Sequence, residues 1–172
     1  MNDSPITSGE LTAVSRQLGR EVRGAVAVAH RCPCGLPDVV KTAPRLADGT
    51  PFPTTFYLTC PKLAAQLSRA ESSGVMREMT ERLTTDPELA ERYAAAHADY
   101  LAQRAELGDV PEIAHVSAGG APNRVKCLHA VVGHALARGP GVNPFGDEAL
   151  TQLSAWWYDG PCVNVDSDRE AE

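Results

Sequence analysis

The chain has 172 residues, 43% of them apolar, and a formal net charge of −6. That length suits one domain with a core large enough to need no disulfide staples. The acidic balance argues against a general nucleic-acid binder, which needs a clustered positive face. No stretch approaches the ~18 apolar residues of a membrane span. The opening MNDSPITSGELTAVSRQ lacks the basic start and apolar run of a secretory signal, so a cytoplasmic protein is expected.

Residues 1–7 read as a frayed end, after which Ser8 can cap a helix over about 9–18, with Leu11, Val14 and Leu18 at helical spacing. GAVAVAHR at 24–31 alternates as a strand, and CPCGLP at 32–37 is a turn because two prolines and a glycine forbid a regular ladder. VVKTAPRL at 39–46 is a second strand, placed at an edge because Pro44 has no amide to donate. A second turn at 47–53 leads to TTFYLT at 54–59, a β-branched and aromatic third strand.

The remainder is expected to be helical. Pro61 to about Ser72 and Val75 to Leu83 form two helices. Asp86-Pro87-Glu88 starts a third that runs to about Leu107, since it pairs a capping carboxylate with proline at the first position. Residues 110–122 are a connector with a short strand at 113–116, Asn123 caps a helix ending at Gly139, and a last helix spans about Asp147–Tyr158. The expected fold class is α+β: a small three-stranded antiparallel meander over about 24–59 packed with helices, and an all-helical C-terminal half. One domain should occupy residues 1–160, followed by an acidic, disordered tail at 161–172.

Five cysteines cannot all pair within the chain, and in a reducing compartment they serve metal binding, thiol chemistry or packing. In an antiparallel meander the first and third strands run the same way, so Cys32 and Cys34 should lie near Cys60. Cys60-Pro61 sets Cys60 at a helix N-cap, where exposed amides and the helix dipole lower a thiol pKa. RVKCLHAVVGHALARG adds Cys127, His129 and His134. On a regular helix Cys127 and His134 lie about 10 Å apart along the axis, and His129 points about 200° away from Cys127. Only an irregular first turn lets Cys127 and His129 chelate together. No zinc-knuckle spacing is present, since Cys32 and Cys34 have one residue between them and no CxxC follows. Cys162 reads as incidental, and His30, His97 and His115 as structural.

Three segments, RCPCGLP at 31–37, DGTPFPTTFYLTCP at 48–61 and NRVKCLHAVVGHALARGPGVNPFG at 123–146, resemble a small bacterial family classed as domain of unknown function 501. The resemblance implies a core set of Cys32, Cys60, Cys127, His129 and His134, with Cys34 set apart because other residues often stand there. Genes of that family often neighbour a septum-formation initiator and an exopolyphosphatase-like protein, which implies a division or envelope partner.

The leading functional reading is a metal site, an iron–sulfur cluster or zinc held by Cys32, Cys60, Cys127 and His129, supporting redox, sulfur-transfer or Lewis-acid chemistry. His129 or His134 would carry protons, and Arg31, Arg124 and Lys126 would receive a small anionic substrate. Two alternatives stand beside it: a non-catalytic adaptor stabilised by zinc, and a metal-free thiol protein with Cys60 as nucleophile.

Overall fold

The structure is a computed structural model that describes residues 3–164. The chain opens with a two-residue strand, β1 (Ser4–Pro5), followed by α1 (Ser8–Leu18), β2 (Ala25–Arg31), β3 (Pro37–Thr42) and β4 (Phe56–Leu58). These strands form one antiparallel sheet in the order β1-β2-β3-β4. The meander expected from the alternating segments is therefore present, with a fourth strand added at the N-terminal side. Only non-local contacts fix that strand: Ser4 and Pro5 pair with Val28 and Ala27, and Asp3 accepts a 2.9 Å bond from the buried Lys41 ammonium. β3 is also not an edge strand, because it ends at Thr42, before Pro44, and lies between β2 and β4.

The two faces of the sheet are covered differently. Helix α1 lies against β3, with Val14 fully buried. Thr7 rather than Ser8 caps this helix, in a capping box with Glu10. On the opposite face Ala29, Val39 and Phe56 form a cluster with Tyr100 and Ala137. Because side chains alternate along a strand, Val40 and its cross-strand partner Val28 turn to the α1 side, and both are buried.

Five helices complete the domain: α2 (Pro61–Glu71), α3 (Val75–Thr85), α4 (Pro87–Ala105), α5 (Leu128–Arg138) and α6 (Pro144–Thr151). Leu63, Leu67, Met79, Tyr93, Leu128, Val132, Phe145 and Trp156 fill the main core among them. Asp86 caps α4 as expected, its carboxylate accepting from Leu89 N at 3.0 Å. The expected strand at 113–116 is instead a 3-10 turn over Pro111–Ile113. The last helix begins and ends earlier than its apolar spacing suggests. Asn143 and Pro144 set its start, and beyond its end Gln66 of α2 bonds both Ser154 N at 3.0 Å and Ser154 O at 3.2 Å, holding that backbone out of the helix. No helix among the described residues is long and apolar enough to cross a membrane.

The chain then crosses back over the α1 side. Lys62 Nζ donates to Gly160 O at 3.0 Å, Gln17 Nε2 to Cys162 Sγ at 3.2 Å, and Arg16 to Asn164 O at 2.7 Å. Of the acidic tail expected at 161–172, residues 165–172 lie outside the described residues.

Candidate metal centre

The start of α5 decides the geometry of the candidate site. The helix begins at Leu128, four residues later than a cap at Asn123 implies, and Cys127 is its N-cap with extended backbone (φ −155°, ψ 114°). Cys127 makes no side-chain cap bond. The cap comes from another helix: Glu71, the last residue of α2, accepts from Leu128 N at 2.6 Å through Oε1. The same oxygen lies 3.1 Å from His129 Nδ1. A carboxylate at a helix C-terminus faces the negative end of its own dipole. Here Glu71 meets the positive end of α5 instead.

Because Cys127 stands outside the helix, the angular separation of a regular helix does not apply, and its thiol reaches His129. Ligand atoms of Glu71, Cys127 and His129 lie within 4.8 Å of one another, all three residues half-buried. Among the described residues this is the one set of three histidine, cysteine or acidic side chains so grouped. Hydrogen bonding to Cys127 raises the His129 pKa, burial opposes the rise and Glu71 adds to it, leaving about 9.

The other cysteines sit elsewhere. Cys60 caps α2 at the end opposite Glu71, and eleven residues of helix put about 16 Å between the two ends. Cys32 and Cys60 follow the ends of β2 and β4, which flank β3, so two strand spacings, about 10 Å, separate their backbones. Both belong to the main core, but among the described residues no close group of three metal-ligating side chains includes either. Cys32 pairs with Cys34 across a tight turn, and burial, reinforced by the Cys34 side chain and Asp38, pushes its thiol up to about 12. Cys60 corrects an expectation. Its thiol pKa is raised, not lowered, because hydrogen bonding to Cys162 and burial outweigh the pull of the Leu63 and Lys62 amides.

His134 is 2% exposed and stacks on Phe56 with ring centroids 5.5 Å apart. Asn143 Oδ1 accepts from Gly146 N, so the Asn143 amide NH2 faces His134 Nδ1, at 3.2 Å. The ring proton then sits on Nε2 and is donated to Asp99 Oδ2 at 2.9 Å. Both nitrogens are thus engaged. Asp99 also takes a two-pronged contact from Arg138, at 2.9 Å on each oxygen. Burial would raise the Asp99 pKa, but the bonds from Arg138 and His134 together hold it below the usual carboxylate range.

Burial is also the main cause that lowers the His134 pKa below its ordinary 6.5. The unfolded chain therefore takes up this proton first. The stabilisation by neutral His134 is complete above pH 6.5 and is lost as pH falls from there towards the folded-state value. Urea midpoints measured from pH 8 to 5 should drop for the wild type and stay flatter for His134→Gln. Parallel profiles would sink this assignment.

Of the three cations proposed for an anionic substrate, Arg124 and Lys126 are exposed directly before Cys127. Arg31 lies elsewhere, paired with Glu10 at 2.5 Å. His30 contacts buried Asp38 at 2.6 Å and His97 contacts Ser117 at 2.9 Å. Glu71 and Cys162 escaped sequence reasoning. An acidic residue in the last turn of a helix, against the dipole, was the one available signal for Glu71.

The family model described as "Protein of unknown function (DUF501)" matches residues 28–151, most of the chain. The chain belongs to this family. In this DUF501 chain the matched stretch contains β3, β4, all of α2 to α6 and the Glu71–Cys127–His129 group. Comparisons with curated proteins and with solved structures give no match.

Proposed function

We propose that this DUF501 protein binds one zinc ion through Cys127, His129 and Glu71 and uses an open fourth position to activate water or a small anionic substrate. The observation that carries the reading is the convergence of a thiol, an imidazole and a carboxylate within 4.8 Å. Two ligands about 2.0–2.1 Å from a tetrahedral zinc lie roughly 3.3 Å apart, and the Glu71 Oε1–His129 Nδ1 separation is 3.1 Å. The mixed donor set suits zinc rather than an iron–sulfur cluster, which thiolates hold. Three protein ligands with a vacant position are the pattern of catalytic zinc, which polarises an oxygen or lowers the pKa of bound water. Arg124 and Lys126, exposed beside Cys127, supply the charge to draw an anion towards it.

A second reading needs no metal. The Glu71 oxygen bonds both Leu128 N and His129 Nδ1, so carboxylate, imidazole and thiol also form an orienter, a base and a nucleophile in sequence.

Metal analysis of purified protein, alongside Cys127→Ala, His129→Ala, Glu71→Gln and Cys60→Ala, separates the readings. Stoichiometric zinc is expected in the wild type and in Cys60→Ala, and its loss in the other three. Wild-type protein that takes up no zinc from a zinc-supplemented buffer overturns the metal reading. Rapid alkylation of Cys127 in that protein, slowed in His129→Ala, would support the metal-free one.

A further inference from the structure

The contact between Cys60 and Cys162 is independent of the proposed metal centre and has a chemistry of its own. The two residues are 102 positions apart in sequence, yet Cys162 packs against the core cluster that contains Cys60, each thiol shifts the titration of the other, and both cysteines are unbridged. Cys162 is held in place from three directions. Lys62, in the first turn of α2, bonds Asp159 O at 3.4 Å and Gly160 O at 3.0 Å. Arg16 bonds Asn164 O on the other side at 2.7 Å. Gln17, itself 7% exposed and anchored to Pro37 O at 2.7 Å, donates to the Cys162 sulfur at 3.2 Å. Cys162 is half-buried, whereas Cys60 is 1% exposed. A partly exposed thiol beside a buried one suits an attacking and a resolving cysteine.

We propose that Cys162 and Cys60 form a reversible dithiol–disulfide couple that exchanges with small-molecule disulfides. The Cys162 thiolate attacks one sulfur of R–S–S–R, which breaks the R–S–S–R bond, forms Cys162–S–S–R and releases RS⁻. The Cys60 thiol then gives its proton to solvent and attacks the Cys162 sulfur, releasing a second RS⁻. The Cys60–Cys162 disulfide is the product. Two protein thiols are oxidised while one small disulfide is reduced to two thiols.

The electrostatics agree with these roles. The hydrogen bond from Cys60, helped by Gln17 and Lys62 and opposed by burial, lowers the Cys162 pKa to about 6. The main cause that raises Cys60 is its bond to Cys162. Conversion of Cys162 to a mixed disulfide removes that negative partner, so the resolving thiol is released only after the first step.

The test treats the full chain with oxidised glutathione, traps remaining thiols with iodoacetamide and maps peptides by mass spectrometry. A Cys60–Cys162 cross-linked peptide is expected in the wild type and in Cys127→Ala, which keeps the outcome separate from that of the metal centre. Cys60→Ala should accumulate glutathione on Cys162, and Cys162→Ala should leave Cys60 unmodified. In the absence of oxidant, iodoacetamide should label wild-type Cys162 with a midpoint near pH 6, and Cys60→Ala should move it upward. Wild-type protein that stops at the glutathione adduct, or links a different pair, overturns the proposal. So does Cys60 modification in Cys162→Ala.

Discussion

Gly146→Ala is expected to destabilise the protein by about 3 kcal/mol, the upper part of the usual range for overpacking. A Cβ at Gly146 would stand 2.3 Å from Val131 O and 2.6 Å from Ala135 Cβ. Val131 O belongs to the main chain of α5, so no rotamer change relieves the contact. Helix α6 has to move away from α5, and Phe145, fully buried and edge-on to Tyr93 with ring centroids 4.8 Å apart, leaves its pocket with it. For a domain of this size about 2–4 °C accompanies each kcal/mol, so thermal unfolding should shift down by roughly 6–12 °C. Gly9→Ala provides the comparison. Gly9 lies in α1 with nothing within 4 Å of an added Cβ, and alanine there should be neutral or stabilise by up to about 1 kcal/mol. Equal stability of Gly146→Ala and wild type would mean that α5 and α6 do not cross as closely as described.

Arg104→Ala is expected to cost about 3–5 kcal/mol, comparable to leaving a buried charge or its partners uncompensated. The guanidinium, in the last turn of α4, belongs to a residue 4% exposed and donates to three carbonyls. They are Val116 O at 2.5 Å, Pro53 O at 3.2 Å, and Ile113 O. No carboxylate forms a salt bridge with it among the described residues, and burial lowers its pKa. Alanine would strand those carbonyls and free the segment from Pro111 to Ser117, which has no strand or long helix to hold it. Lysine should recover little, because one ammonium on a flexible stem does not match a planar fork aimed at three oxygens. Urea unfolding measures the loss. Hydrogen exchange should rise first at Val116, whose amide bonds to Ile113 O at 3.0 Å. Full recovery by lysine would refute the fork argument.

The parts of this fold that follow from local chemistry were legible in the sequence. Alternating apolar residues marked β2, β-branched and aromatic residues marked β4, and Asp86-Pro87 marked the start of α4, because the signal and its cause lie within a few residues. The parts that escaped depend on distant partners. β1 is held by pairing to β2 and by Lys41, and α6 stops where Gln66 of α2 takes over the Ser154 backbone. The candidate centre was legible only in part, for the same reason: Cys127 and His129 stood among the expected ligands on condition of an irregular first turn, and Glu71 did not. Reading α5 from Asn123 put Cys127 inside a regular helix and turned it away from His129. A cap supplied by Glu71, fifty-seven residues before Leu128, moves the helix start and brings the two side chains together. The contact of Cys162 with Cys60 is likewise a product of tertiary folding, invisible in a cysteine that has no neighbouring motif.

The bonds from Gln17 to Cys162 and from Arg16 to Asn164 join two stretches that both fall outside the matched residues 28–151. In this chain, residues outside the matched stretch therefore cover one face of the sheet that the stretch contains. Trimmed to those limits, the chain would lose β1, α1 and the first half of β2, and the valines at 28 and 40 would face water instead of α1. Such a fragment would retain every proposed zinc ligand on a sheet stripped of one side, and its silence in an assay would speak of lost architecture rather than of absent chemistry.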